Sequence, residues 1–158
     1  MENLSNDKKA DIILAALDER YKALHAIRDR VQSIGVWALG ILLAAGGWLI
    51  QSTALLTSLQ KTLYILGILV AVSVLRFKYL GDLKRGFKGQ QRVAVRLEKA
   101  LGLFSPRVFD NESDPIYPPQ WKNAGSTQGG GQFFRTTHLL LYVGALFLVM
   151  AILFKAHD

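Results

Sequence analysis

The chain has 158 residues, room for one domain, with 51% hydrophobic residues, a net charge of +7 and a pI of about 9.8. It has no cysteine, which excludes a disulfide framework, a cysteine-based zinc site and a thiol nucleophile. Long apolar runs beside this much positive charge point away from an ordinary soluble core and toward a membrane protein with basic cytosolic segments.

The opening MENLSNDKKADII lacks the basic start and apolar core of a cleavable signal peptide. Residues 1–33 read instead as a cytosolic segment, helical from about residue 8. Ser5 or Asn6 is placed to cap it, and Asp7 and Asp11 lie near the start, where the helix dipole favours acids. Ala10, Leu17, Leu24 and Val31 recur every seven residues, and Ile13, Ile27 and Ile34 form the companion row, interrupted by Arg20. Neither proline nor glycine occurs between Asp7 and Ile34, so this helix is expected to run on without a break.

Residues 34–76 carry a transmembrane hairpin. Ile34 to Gln51, IGVWALGILLAAGGWLIQ, has no charge, and Leu59 to Leu75, LQKTLYILGILVAVSVL, has only Lys61. Each half approaches the ~20 apolar residues that a helix needs to cross a bilayer, and lipid leaves a single span no other way to satisfy its backbone. Gly40, Ala44 and Gly47 share one face of the first span, and Gly67 and Ala71 form the small pair of the second. Small residues let membrane helices approach closely. They serve either packing within the chain or packing between subunits, in which case they would line a pore. Trp37 and Trp48 stand near opposite ends of the first span, as interfacial aromatics do, and Lys61 can snorkel.

Residues 77–104 read as a cytosolic basic helix. Leu80, Phe87, Ala94 and Leu101 repeat every seven, with Leu83, Gln90, Leu97 and Phe104 beside them. Folding the hairpin about residue 55 pairs positions whose numbers sum to about 110, which sets Leu17 against Ala94, Leu24 against Phe87 and Arg20 against Gln90. The last pair is a matched polar layer that would fix the register of an antiparallel stalk. Gly81, Gly86 and Gly89 weaken this helix by about 1 kcal/mol each relative to alanine, either as a hinge or to admit a close neighbour. Gly81 and Gly86 have phosphate-loop spacing, but Phe87 stands where that loop needs lysine.

Residues 105–132 hold all four prolines and Gly129-Gly130-Gly131. They form a loop. The aromatics of PIYPPQW could dock on the stalk, and 126–132 resembles a flexible connector. Asp110, Glu112 and Asp114 read as solvated, and Asn111-Glu112-Ser113 is a glycosylation sequon in form only, being placed in the cytosol. Residues 133–158 supply a third span and a short tail, with Phe133, Phe134 and Arg135 at the near interface and Lys155 at the far one.

Charge sets the orientation. Residues 76–135 contain eleven Lys or Arg and the N-terminal arm six, against Lys61 and Lys155 alone on the other side. The expected topology is therefore an inner (cytoplasmic) membrane protein with the N-terminus cytosolic and the C-terminus outside. The fold class is all-α: three transmembrane helices and a cytosolic antiparallel helical-hairpin stalk.

His25, His138 and His157 have no ligand spacing, and no catalytic constellation is visible, so no metal site, catalytic residue or cofactor is assigned. The spans lack the mid-depth charges that proton relays and coupled transporters use. The most specific signal is a basic stripe. Lys78, Arg85, Lys88, Arg92, Arg96 and Lys99 follow at spacings of seven, three, four, four and three, on a helix face opposite the apolar seam. Arg92 to Lys99 lie roughly 25–35 Å along the helix from its membrane end, beyond the ~8 Å reach of lipid charge in the cell. Two readings stay open. The stripe binds a soluble anion such as a nucleotide, an oligonucleotide or an acidic protein face through Arg85, Lys88, Arg92, Arg96 and Lys99. Alternatively, it is a structural face on which Asp18 pairs with Arg92 and Asp11 with Lys99.

This layout, with the span IGVWALGILLAAGGWLIQ and the helix RFKYLGDLKRGFKGQQRVAVRLEK, resembles the SLATT-type small membrane effectors of bacterial anti-phage defence. The third span is similar to that of the channel subunit of Hailong-type systems. The resemblance implies a homo-oligomer that permeabilises the inner membrane when a nucleotidyltransferase or sensor partner signals to it. The reading that follows is a pore or ion channel gated by an anionic cytosolic signal. The alternative is a non-conducting membrane anchor or scaffold that recruits a soluble protein.

Overall fold

A computed structural model describes residues 5–53, 55–107, 114–126 and 131–156. Asp110, Glu112, the Asn111-Glu112-Ser113 sequon, most of the 126–132 connector and His157 lie outside the described residues. The fold is all-helical, with no strand among the described residues, and three of its helices are long and apolar enough to cross a membrane. The chain divides into two compact units, Met1–Arg28 with Lys84–Gly130, and Asp29–Leu83 with Gly131–Asp158.

Helix α1 is a single run of 46 residues, Asn6–Gln51. The Ser5 hydroxyl accepts from Lys8 N–H at 3.4 Å, which supplies the cap. Helix α2, Ser58–Val74, starts at a reciprocal capping box. There Thr57 Oγ1 accepts from Gln60 N–H at 3.3 Å, and Gln60 Oε1 accepts from Thr57 N–H at 3.0 Å. The helix then widens into a π-helical segment, Leu75–Leu80, before continuing as α3, Gly81–Ala100. Neither proline nor glycine lies within the π segment, so no local residue announces it.

The basic helix was expected to reach Phe104 and instead ends at Ala100. Gly102 adopts φ +79°. Its N–H bonds the Lys99 carbonyl at 3.1 Å while Leu103 N–H bonds that of Glu98 at 3.1 Å. This is a Schellman stop, which glycine forms without the Cβ penalty. Past it, Phe104 is buried and meets Tyr117 edge-on at 5.7 Å, and Tyr117 meets Trp121 at 5.3 Å. The PIYPPQW aromatics thus pack onto the residues that follow α3, anchored by Tyr117 N–H to the Leu103 carbonyl at 3.0 Å. A short 3₁₀ turn, Pro119–Asn123, completes the loop, and α4 spans Gln132–Phe154.

In the unit containing the spans, α1 and α4 are joined by small residues. The Thr137 hydroxyl donates to the Val31 carbonyl at 3.3 Å, and Val31 is fully buried. Cβ atoms added at Gly35, Gly46 and Gly144 would sit 3.1 Å from Thr137, 2.6 Å from Phe147 and 3.0 Å from Leu42, respectively. A second cluster joins Leu49, Leu56, Ala151 and Ile152, with Ile65, Ile68 and Leu148 against it. Helix α2 itself buries no residue. The two lysines at this end act on backbone. Lys155 donates to the Leu49 carbonyl at 2.8 Å and to that of Ser52, and Lys61 donates to the Lys155 carbonyl at 2.7 Å. Cations on the last carbonyls of α1 are favoured by its dipole.

Candidate functional site

The charged unit is assembled around polar contacts. Leu17, Phe87 and Ala94 are buried there, as the heptad rows require, and so is Val95, which lies outside those rows. Among them Arg20 Nη1 donates to Gln90 Oε1 at 2.9 Å, so the two polar members of the rows meet each other. One residue along, the Tyr21 hydroxyl donates to Glu98 Oε1 at 2.7 Å and lies 3.5 Å from that of Tyr117. Burial, and then the hydrogen bond to the Glu98 carboxylate, push the Tyr21 phenol far above its ordinary value, because a phenolate there would face a carboxylate in a poorly solvated site. Glu98 is only 6% exposed. Nothing in the sequence singled it out, since it sits among the charges of VRLEK. Its one signal is its helical spacing of four from Ala94 and eleven from Phe87, both seam residues.

The basic stripe does not form one open face. A Cβ at Gly125 would lie 2.7 Å from the Lys88 carbonyl oxygen and 3.0 Å from Arg92 N, so the returning loop lies directly on the α3 backbone at this point. Gly125 has φ +79°, and only glycine offers both that conformation and that closeness. Lys88 is half-buried beneath the crossing, whereas Arg85, Arg92, Arg96 and Lys99 are exposed. Arg92 Nε donates to the Lys88 carbonyl at 3.4 Å. The cross-hairpin ion pairs anticipated for this face do not form. Asp18 is taken by Lys22 at 2.6 Å, one turn along its own helix, and this raises the Lys22 pKa. Among the described residues, Arg92, Arg96 and Lys99 have no acidic partner. A sequence-local i,i+4 pair outcompetes a cross-helix one because it orders a single, already fixed backbone segment.

The small residues divide into two sets. Gly35, Gly46 and Gly144 make the contacts inside the chain. Gly40, Gly47 and Gly67 would each admit a Cβ with nothing within 4 Å, and Ala44 and Ala71 are exposed. Packing within the chain, one of the two uses foreseen for Gly40, Ala44, Gly47, Gly67 and Ala71, is therefore not what they do. Gly86 and Gly89 likewise meet no neighbour, so close approach does not account for them.

At the π segment, the Arg76 guanidinium lies 4.9 Å from the Phe77 ring and 5.3 Å from the Tyr142 ring and donates to the Tyr142 hydroxyl. This joins the π segment to α4 through a cation held on aromatic faces. No group of three or more acidic or histidine side chains that could hold a metal occurs among the described residues. No protein-family model, curated protein or solved structure matches this chain.

Proposed function

We propose that this chain is an oligomeric effector of the bacterial inner membrane, a pore or ion channel that opens when the basic face of α3 meets an anionic cytosolic signal. The observation that carries the proposal is α2: a seventeen-residue, mostly apolar helix, none of whose residues is buried by the rest of the chain. In water such a surface costs about 25 cal/mol per Å²; lipid and neighbouring subunits would cover it. The open small-residue positions Gly40, Gly47 and Gly67 support close contact between copies. Three helices are too few to enclose a conduction path alone, so conduction needs a homo-oligomer.

In this reading the apolar unit is in the bilayer, the charged unit is a cytosolic helical-hairpin stalk, and the C-terminus is outside. Arg92, Arg96 and Lys99, with exposed and acid-free side chains, are the residues that would hold a nucleotide or oligonucleotide made by a soluble nucleotidyltransferase or sensor partner. The resemblance of the sequence layout to SLATT-type and Hailong-type effectors is the source of this role. The π segment would carry the signal, since such irregular turns recur at functional sites in helices.

The test is leakage from liposomes holding the purified oligomer, with nucleoside triphosphates and short single-stranded oligonucleotides as candidate signals. Ligand-dependent release of dye or ions supports a gated pore. Its absence from a demonstrably oligomeric sample supports a non-conducting anchor or scaffold instead. Replacing Arg92, Arg96 and Lys99 together by glutamine should abolish the ligand response, and an unchanged response refutes the sensor assignment.

A further inference from the structure

A cavity of about 370 Å³ lies in the charged unit, lined by Tyr21, Leu24, Gln91, Ala94, Val95, Glu98, Trp121 and Ala124. Its size falls in the ordinary range for small-molecule sites. Its chemistry is one-sided. Glu98 is buried, and its one hydrogen bond among the described residues comes from Tyr21, with no cation beside it. Gln91 brings a buried side-chain oxygen with no hydrogen-bond partner among the described residues. The Tyr21 hydrogen is already committed to Glu98. Glu98 is therefore the one charged group on the lining, and no cation lines the cavity with it. Buried carboxylates are ordinarily paired, and here the chain supplies no positive partner although its net charge is +7.

We propose that this cavity binds a small organic monocation, a primary ammonium or a guanidinium on a short apolar stem. The N–H groups would donate to Glu98, the stem would lie on Leu24, Ala94 and Val95, and Trp121 would form a wall over which the cation sits. Trp121 is 54% exposed, so the wall borders solvent and offers a way in. The basic residues outside, Arg92 and Arg96, discourage polycations and free metal ions. The site is distinct from the proposed anion face, and it stands whether or not the chain conducts.

The experiment uses the full chain in detergent with Trp37→Phe and Trp48→Phe, which leaves Trp121 as the sole tryptophan of three. Butylammonium and butylguanidinium are titrated at constant ionic strength against butanol. At least one cation should change Trp121 emission saturably, and butanol should not. Glu98→Gln should weaken the cation by about tenfold or more. Tyr21→Phe removes the competing donor and keeps the ring, so it should tighten the cation several-fold, a gain that a purely structural Glu98 would not produce. No saturable response to either cation, an equal response to butanol, or an undiminished response in folded Glu98→Gln overturns the proposal. Should Glu98→Gln lose its helical circular dichroism, Tyr21→Phe decides: unchanged or weaker binding overturns it.

Discussion

The two units solve the same packing problem with opposite materials. The charged unit buries few apolar side chains and is specified by polar contacts: Arg20 to Gln90, Tyr21 to Glu98, and a loop laid on α3 at Gly125. The apolar unit has polar contacts such as Arg76 to Tyr142 and Thr137 to the Val31 carbonyl, but its close helix approaches are set by the absence of side chains at Gly35, Gly46 and Gly144. Helix α1 belongs to both units without a break. The difference therefore lies in what surrounds the helix, since its backbone is the same throughout. Where water competes, a polar pair fixes register. Where every neighbour is equally apolar, only shape can choose a partner.

That comparison can be attacked at each kind of contact. The largest effect is expected from Gly125→Ala, which adds left-handed strain to a backbone clash. It should cost about 2–4 kcal/mol and release the loop, read as a red shift of Trp121 emission and faster proteolysis near residues 114–126. Next is Gly144→Leu, which overfills the space beside Leu39 and Leu42 and should cost about 1–3 kcal/mol in detergent unfolding. Gly40→Leu, with nothing within 4 Å, should leave that unfolding unchanged and weaken the association between copies that the proposed function requires. A loss of stability from Gly40→Leu equal to that from Gly144→Leu would erase the distinction between inner and outer small residues.

A smaller effect, about 1 kcal/mol, is expected for Arg20→Leu, which strands Gln90, and pairing it with Gln90→Leu should restore most of the loss. A double variant no more stable than the single one would show that the pair does not act as a unit.

The alkaline limb is smaller still over accessible pH. Tyr21 has a raised folded pKa, so its contribution is complete below the ordinary phenol value of about 10 and is lost progressively as pH rises above it toward the folded value. Wild-type stability should therefore fall more steeply above pH ~10 than that of Tyr21→Phe, and parallel profiles would contradict the burial of this phenol. Asp18→Asn breaks an exposed pair with Lys22 and should not measurably change melting.

Much of the architecture follows from the order of residues alone, because it depends on local rules. Uncharged runs of span length, a cap at Ser5 or Asn6, the unbroken α1 and the inward heptad rows require only periodicity, capping residues and the absence of breakers. The meeting of Arg20 with Gln90 follows from counting, since two helices joined by a short turn have one simple register. The Thr57 capping box is equally local, written as TSLQ.

What tertiary structure alone decided are the choices among equivalent local options. Every span has small residues, but only the facing helix selects Gly35, Gly46 and Gly144 over Gly40, Gly47 and Gly67. Asp18 had two basic partners within reach in principle, and the one on its own helix took it. Glu98 is one charge among many in sequence and a buried hydrogen-bond acceptor in the fold. Lys155, legible as an interfacial lysine, closes the carbonyl end of α1, and Lys61 bonds the Lys155 carbonyl, only because α2 and α4 bring them there. The physical reason is common to all four: periodicity states which side of a helix a residue occupies, and only packing states what stands opposite it.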